Sequence, residues 1–133
     1  MSLPALTTLP ATLDFLALRA EQTLQAAFAE LSTDAAARFA VWAGSRQETL
    51  RRVTAASDFV VQQTLRDPQM LLELAESGEL ERPLQAGELR AQLAAQLLEC
   101  EGEDELGRRL RRFRNRQQLR IIWRDISRQA DLI

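Results

Sequence analysis

The sequence AASDFVVQQTLRDPQMLLEL, residues 55–74, decides the fold class because it marks two helix starts in quick succession. Ser57 or Asp58 can cap a short helix, since a serine or aspartate side-chain oxygen accepts a hydrogen bond from a free N–H group of the first turn. Asp67 followed by Pro68 predicts a second helix start, with Asp67 as the cap, because proline suits the first helical position. The stretch therefore predicts two short, consecutive helices.

On both sides of this stretch, apolar residues recur at helical spacing, and no segment alternates apolar and polar residues as a half-buried strand does. The expected boundaries are a first helix from near Pro10 to about Leu31, a cap at Thr33 or Asp34, a stop at Gly44, a restart at Ser45, a stop at Gly78, a helix from Gln85 to Glu99, and a last helix from near Gly102 to the end. The sequence predicts one all-α domain over residues 1–133, with about six helices in a small orthogonal or irregular bundle and a long Arg-rich helix at its end.

The residues expected in the core share helical spacing on one face of their segments. They are Leu13, Leu16, Ala20, Leu24, Ala27, Phe28 and Leu31 of the first helix, Trp42 and Val53 of the next two, and Leu89, Leu93, Leu97 and Cys100 near the fifth. Cys100 is the only cysteine and cannot form an intrachain disulfide, and its apolar neighbours predict a buried thiol.

Composition excludes most catalytic and metal sites. The 133 residues include no histidine, no tyrosine and no lysine. A Ser-His-Asp triad, a Cys–His pair, a Schiff-base lysine and the lysine of a phosphate-binding loop are therefore absent, and one cysteine is too few for a structural zinc site. We expect no catalytic, cofactor-binding or metal-binding residue in this chain.

The chain has no apolar run of transmembrane length and no signal-peptide pattern at its start. A single cysteine also fits a reducing compartment. We therefore expect a cytoplasmic protein that has no membrane partner.

The charge is divided unevenly along the chain. Residues 1–107 contain eight arginines and seventeen acidic residues, net −9, whereas residues 108–133 contain nine arginines and two acidic residues, net +7. A nucleic-acid interface would use these arginines for phosphates and Phe113 and Trp123 for base stacking. Three observations oppose a nucleic-acid interface. The chain is acidic overall, and arginine also suits bidentate pairing with carboxylates. Both aromatic residues lie at positions that helical periodicity assigns to packing. We expect a protein partner or an intramolecular role, and no nucleic acid.

Two blocks carry a resemblance to a known family. AASDFVVQQTLRDPQMLLEL is followed by LRRFRNRQQLRIIWRDISRQADL, residues 110–132, and this order is similar to that in the amino-terminal region of the bifunctional glutamine synthetase adenylyltransferase family. The resemblance covers residues 55–132. It implies a parent enzyme that adds AMP to glutamine synthetase and removes it, and so regulates nitrogen assimilation, with ATP, magnesium, glutamine synthetase and a PII-type signal protein as its cofactors and partners.

The family's catalytic motifs are missing from this chain. The nucleotidyltransferase fold of the family is marked by Gly-x-Gly-Lys-Leu-Gly and by Ser-Ser-Asp-x-Asp-Leu, whose aspartates hold metal ions, and neither motif is present. The resemblance therefore implies a non-catalytic, helical region of the adenylyl-removing half. The alternative is a free-standing helical adaptor or nucleic-acid-binding module that uses the Arg-rich last helix.

The last helix has two apolar faces at about 100° per residue. Leu106, Leu110, Phe113, Gln117 and Ile121 form the first, and Leu119, Ile122, Trp123, Ile126 and Ala130 form the second, nearly opposite. Two explanations stand. Either the helix is buried on both sides within one bundle, or it is a connector whose first half packs on the preceding helices and whose second half packs against the segment that this chain lacks.

The connector explanation names a set of contact residues. The candidate interdomain or partner contacts are Arg116, Arg120, Ile122, Trp123, Arg124 and Ile126. Without the remainder of the parent enzyme, this apolar stripe would lack its partner, so we expect a weak homodimer of the chain. Because the arginine rows of the two copies would repel each other, this dimer should tighten as salt rises.

Overall fold

A computed structural model describes residues 11–131, which form seven α-helices and no strand. The helices are α1 (Ala11–Leu31), α2 (Thr33–Gly44), α3 (Gln47–Ala56), α4 (Asp58–Arg66), α5 (Pro68–Glu76), α6 (Glu88–Leu98) and α7 (Glu103–Asp131). The all-α prediction is confirmed, with seven helices rather than about six. Pro10 lies outside the described residues, as do the side chains of Leu13 and Leu16.

The two helix starts that decide the fold class are confirmed. The Ser57 hydroxyl accepts a hydrogen bond from the backbone N–H of Val60 at 3.3 Å, and α4 follows. The Asp67 carboxylate accepts one from the N–H of Met70, also at 3.3 Å, and Pro68 is in the first turn of α5. Each side chain satisfies a donor that has no partner within its own helix.

Three other boundaries differ from the predictions. Ser32, rather than Thr33 or Asp34, caps α2, because its backbone is extended and its hydroxyl accepts from Ala35 N–H at 2.9 Å. Ser45 is the C-cap of α2, and α3 starts at Gln47 rather than at Ser45. The predicted helix start at Gln85 is also wrong: α6 begins at Glu88, directly after a glycine with a φ of 80°.

Replacing Asp67 with Ala should lower the free energy of unfolding by about 1 kcal/mol, the usual loss for a helix cap. Asp67→Asn should retain most of that stability, since asparagine caps as well as aspartate does. The midpoint of chemical denaturation measures both. Asp58→Ala is the matched control, because Asp58 is an exposed acidic residue at the start of α4 whose side chain does not cap the helix. An unchanged midpoint for Asp67→Ala would show that this carboxylate does not hold the start of α5.

The core lies around α1, which packs against α2, α3, α4 and α5. A row of aromatic rings crosses it. Phe28 of α1 stacks on Phe39 of α2 with ring centroids 4.1 Å apart, and Trp42 lies one turn further along α2. Trp42 and Val53 are buried, as predicted, and so are Leu24 and Phe28. Burial of these large side chains supplies most of the drive for folding.

The last helix, α7, lies across α3 and α4, and α6 packs on α7. Leu119 and Trp123 of α7 are in the core, where the Trp123 ring is 5.6 Å from that of Trp42. By contrast, α6 has no buried residue. The core predictions for this helix are therefore wrong: Leu97 is exposed, Leu89 and Leu93 are only partly buried, and the Cys100 thiol after the helix is only half-buried. Leu31, at the end of α1, is likewise exposed rather than in the core.

Candidate functional site on the last helix

The first half of α7 is attached to the bundle by ion pairs. The Arg109 guanidinium pairs with Glu99, the residue that follows α6, at 3.3 Å, and also with Glu105 of α7 itself at 2.8 Å. One turn further along, Arg112 pairs with Asp67 at 3.1 Å and with Glu73 of α5 at 3.4 Å. The Asp67 carboxylate therefore both caps α5 and binds α7, and it joins the two blocks of sequence that carry the family resemblance.

The middle of α7 meets the connection between α5 and α6, residues 77–87. Gly78 turns the chain there with a φ of 80°, a conformation that glycine adopts without strain, and Glu79 follows as a buried residue. The Arg116 guanidinium holds the Glu79 carboxylate through two hydrogen bonds of 2.9 and 3.0 Å. This parallel arrangement is the strongest geometry available to an arginine and a carboxylate.

Arg120 lies beneath this pair and is completely buried, with 0% of its surface exposed. Its Nε donates to the backbone carbonyl of Glu79 at 2.9 Å, and its Nη1 pairs with the Glu88 carboxylate. Glu88 also pairs with Arg82. We call Glu79, Arg82, Glu88, Arg116 and Arg120 the ion-pair network. Because an unpaired buried charge is very unfavourable, these five residues fix the position of α7 on residues 77–88.

The network changes the ionisation of its acids. The Arg116 guanidinium, with Arg120 nearby, lowers the pKa of the Glu79 carboxyl to about 2. Hydrogen bonds from Arg82 and Arg120 lower the pKa of Glu88 as well. Because the pKa of each carboxyl is lower in the folded chain than in the unfolded chain, the ionised carboxylates stabilise the fold at pH values above the ordinary pKa of glutamate. This contribution is lost as the pH falls through that pKa toward 2. The network is therefore intact at neutral pH.

The six predicted contact residues occupy different environments. Arg120 and Trp123 are within the core, with 0% and 1% of their surfaces exposed. Ile122 and Ile126 pack against the core as partly buried side chains, and Arg116 is held by Glu79. Arg124 is half-buried, and the described side chains give it no ion-pair partner. The prediction that Arg120 and Trp123 contact a partner is thus corrected, because neither presents a surface.

The connector explanation assigned the two halves of α7 the wrong way round. The second half packs on α3 and α4 of this chain, whereas the first half is attached by ion pairs and by α6, and leaves Leu110 exposed. Within the stripe, Trp123 already packs against Trp42, whereas Ile122 and Ile126 are only partly buried, and the weak homodimer stays a prediction. Being buried, the Trp123 ring cannot stack on a nucleic-acid base either.

Sequence reasoning did not find Glu79, Arg82 and Glu88, the residues that α7 binds in the network. One signal for Glu79 was present: Glu79 and Leu80 come directly after Gly78, the glycine predicted to stop a helix. In the structure both residues are buried. The surplus of acids before residue 108 was a second signal, because it complements the arginines of α7. Neither signal says which acid meets which arginine.

Two further properties concern the part of the chain that is described. Over residues 11–131, no three acidic or cysteine side chains come together as a group that could hold a metal ion. None of the helices in this range is both long enough and apolar enough to cross a membrane.

The sequence model of one family, glutamate-ammonia ligase adenylyltransferase, matches residues 47–133. The chain belongs to this family. The match begins at α3 and includes both blocks of the resemblance, Asp67 and Arg112 among them, together with the whole ion-pair network. The resemblance inferred from the sequence is thus confirmed, and the matched range includes the contacts between α7 and the chain from α3 to the start of α6.

The chain spans about one seventh of the length of the relatives that it matches over nearly all of its residues. The bifunctional glutamine synthetase adenylyltransferase/adenylyl-removing enzyme of Pseudomonas aeruginosa is 61% identical over 132 residues, which are 99% of the chain and 13% of that enzyme. The enzyme of the same name from Pseudomonas syringae pv. tomato is 58% identical over 133 residues, which are 14% of its length. The one from Thioalkalivibrio sulfidiphilus is 45% identical over 85 residues. No solved structure matches the chain.

Proposed function

We propose that this chain is a helical, non-catalytic part of the enzyme that adenylylates and deadenylylates glutamine synthetase, and that it belongs to the amino-terminal region of the adenylyl-removing half. The observation that carries the proposal is the 61% identity to the Pseudomonas aeruginosa enzyme over nearly the whole chain. The nucleotidyltransferase domain lies outside the sequence, since both of its motifs are absent from it. The parent enzyme acts in the cytoplasm.

The role that fits this part is structural support for the catalytic domain. Four α7 arginines pair with acids outside the helix, and α7 is held in place by these pairs and by the Trp123 contact; the four are Arg109, Arg112, Arg116 and Arg120. A helix fixed in this way can set the position of whatever packs on its open side. Exposed leucines on α6 and α7, with Leu98 exposed to 88%, offer apolar surface for the remainder of the parent enzyme.

The cofactors and partners of the parent follow from its reactions. Adenylylation uses ATP with magnesium, and two metal ions would stabilise the charge that develops on the transferred phosphoryl group. Glutamine synthetase is the substrate, and a PII-type signal protein is the regulator. We assign the binding of all of these to the parent enzyme and none of it to residues of this chain.

The 133-residue chain alone should have no adenylyl-removing activity, because it lacks the metal-binding aspartates of the catalytic motif. Incubation with adenylylated glutamine synthetase, magnesium and phosphate should release no ADP, as measured by a coupled enzymatic assay. The full-length Pseudomonas aeruginosa enzyme, which should release ADP under the same conditions, is the positive control.

Release of ADP by the chain that scales with its concentration and survives repurification would contradict the proposal. A second observation separates the proposal from a free-standing adaptor. The gene should continue past the Ile133 codon into a segment that encodes Gly-x-Gly-Lys-Leu-Gly, whereas a stop codon at that point favours the adaptor.

A further inference from the structure

A groove between α3 and the second half of α7 collects positive charge outside the ion-pair network. Its volume is about 420 Å³, within the range of small-molecule sites. Its charged lining consists of Arg46, Glu48, Arg52, Glu81, Arg124 and Arg128. Four guanidinium groups thus face two carboxylates, in a chain whose overall net charge is −2.

The two carboxylates of the groove are already engaged by arginines from the α3 side. Arg46 donates to Glu81 at 2.6 Å, and Arg52 donates to Glu48 at 3.2 Å. On the α7 side, Arg124 and Arg128 form no ion pair with any described side chain. The excess charge of the groove therefore resides on these two arginines.

Ser127 supplies a second, independent observation. It lines the same groove, and its Oγ is shielded from solvent but has no hydrogen-bond partner among the described atoms. A polar group in that position is unfavourable unless something binds it. Because residues 124, 127 and 128 are separated by three and four positions, helical geometry places the three side chains next to one another.

We propose that this groove binds a phosphate group, carried by a small anionic molecule, through Arg124, Ser127 and Arg128. Guanidinium groups bind phosphate oxygens through paired, charge-assisted hydrogen bonds, and a serine hydroxyl can donate a further one. At about 420 Å³, the groove is larger than a phosphate ion and leaves room for an organic part of the ligand. The site is separate from the proposed supporting role of the chain and does not depend on it.

The proposal is tested by isothermal titration calorimetry of the 133-residue chain at constant ionic strength. The probes are inorganic phosphate, adenosine 5′-monophosphate and adenosine. Sodium chloride is titrated as a control for non-specific binding of an anion. Phosphate and the nucleotide should bind, and adenosine and chloride should not. Equal affinity for phosphate and the nucleotide would identify the phosphate group as the whole recognition element, whereas tighter nucleotide binding would show that the groove also holds the organic part of the ligand.

Variants locate the site. Arg124→Gln and Arg128→Gln should each weaken phosphate binding by about tenfold or more, as expected for the loss of a charge-assisted hydrogen bond. Ser127→Ala should weaken it by a smaller factor. Arg114→Gln is the matched control, because it removes the same charge from an exposed position of α7 outside the groove, and it should leave the affinity unchanged.

Circular dichroism should give the same helical spectrum for all four variants. Equal weakening by Arg114→Gln and Arg124→Gln would overturn the proposal, since it would show a general effect of charge. Absence of phosphate binding to the folded chain, or binding of adenosine without phosphate, would overturn it as well.

Discussion

Arg120→Met should lower the free energy of unfolding of this chain by about 3 to 5 kcal/mol, the loss that follows when one partner of a buried ion pair is removed. Methionine fills much of the same space and supplies no donor. The substitution leaves the backbone carbonyl of Glu79 without its 2.9 Å hydrogen bond and deprives Glu88 of one of its two arginines. The midpoint of chemical denaturation, followed by circular dichroism, measures the loss.

Two further variants separate the network from a general effect of charge. Arg114→Met removes an exposed arginine from the same helix and should change stability by less than about 0.5 kcal/mol. Combining Arg120→Met with Glu88→Gln should recover part of the loss, because the second change removes a carboxylate that the first leaves poorly paired. If Arg120→Met and Arg114→Met have the same midpoint, then Arg120 does not hold α7 in place.

Local signals predicted the helix starts well where the capping side chain had one clear candidate position. Asp67 before Pro68 left no ambiguity, and the structure confirms it. At residues 32–34, however, serine, threonine and aspartate follow one another, and all three are good caps. The choice of Ser32 depends on where the backbone leaves the extended conformation after α1, which composition does not specify.

Periodicity found the second apolar face of α7 but not its partner, whereas Leu110 and Ile121 of the first face are exposed. A helical wheel shows which side chains share a face, and Leu119, Trp123 and Ile126 do lie on one. Which helix covers that face depends on how α3 and α4 are arranged by the chain before them, a matter of tertiary packing. The assignment of the second half of α7 to a missing domain failed for this reason.

The candidate site was predictable in kind but not in detail. Excess acid before residue 108 and excess arginine after it indicate that the two parts pair, and the exclusive use of arginine suits bidentate contacts. The specific partner Glu79 lies in a connection without regular structure, where no periodicity constrains the direction of its side chain. Its distance from Arg116 along the chain gives no further help.

Trp123→Ala should also be strongly destabilising, with a loss of about 3 to 5 kcal/mol, as for other large aromatic side chains removed from a core. Trp123 is 1% exposed and lies 5.6 Å from Trp42, measured between ring centroids. Trp123→Phe should lose less, because it retains a ring that can pack against Trp42. Ile121→Ala is the matched control two positions earlier in α7, where the side chain is 43% exposed.

The same variants decide between an internal and an external role for the apolar stripe of α7. If Trp123 stabilises this chain from within, Trp123→Ala lowers the denaturation midpoint while the mass in sedimentation equilibrium stays that of the unsubstituted chain, measured where both remain folded. If the stripe instead joins two copies, the substitution lowers the mass and changes the midpoint little. The first result is expected, because the α3 and α4 helices and Trp42 already cover the surface that a second copy would need.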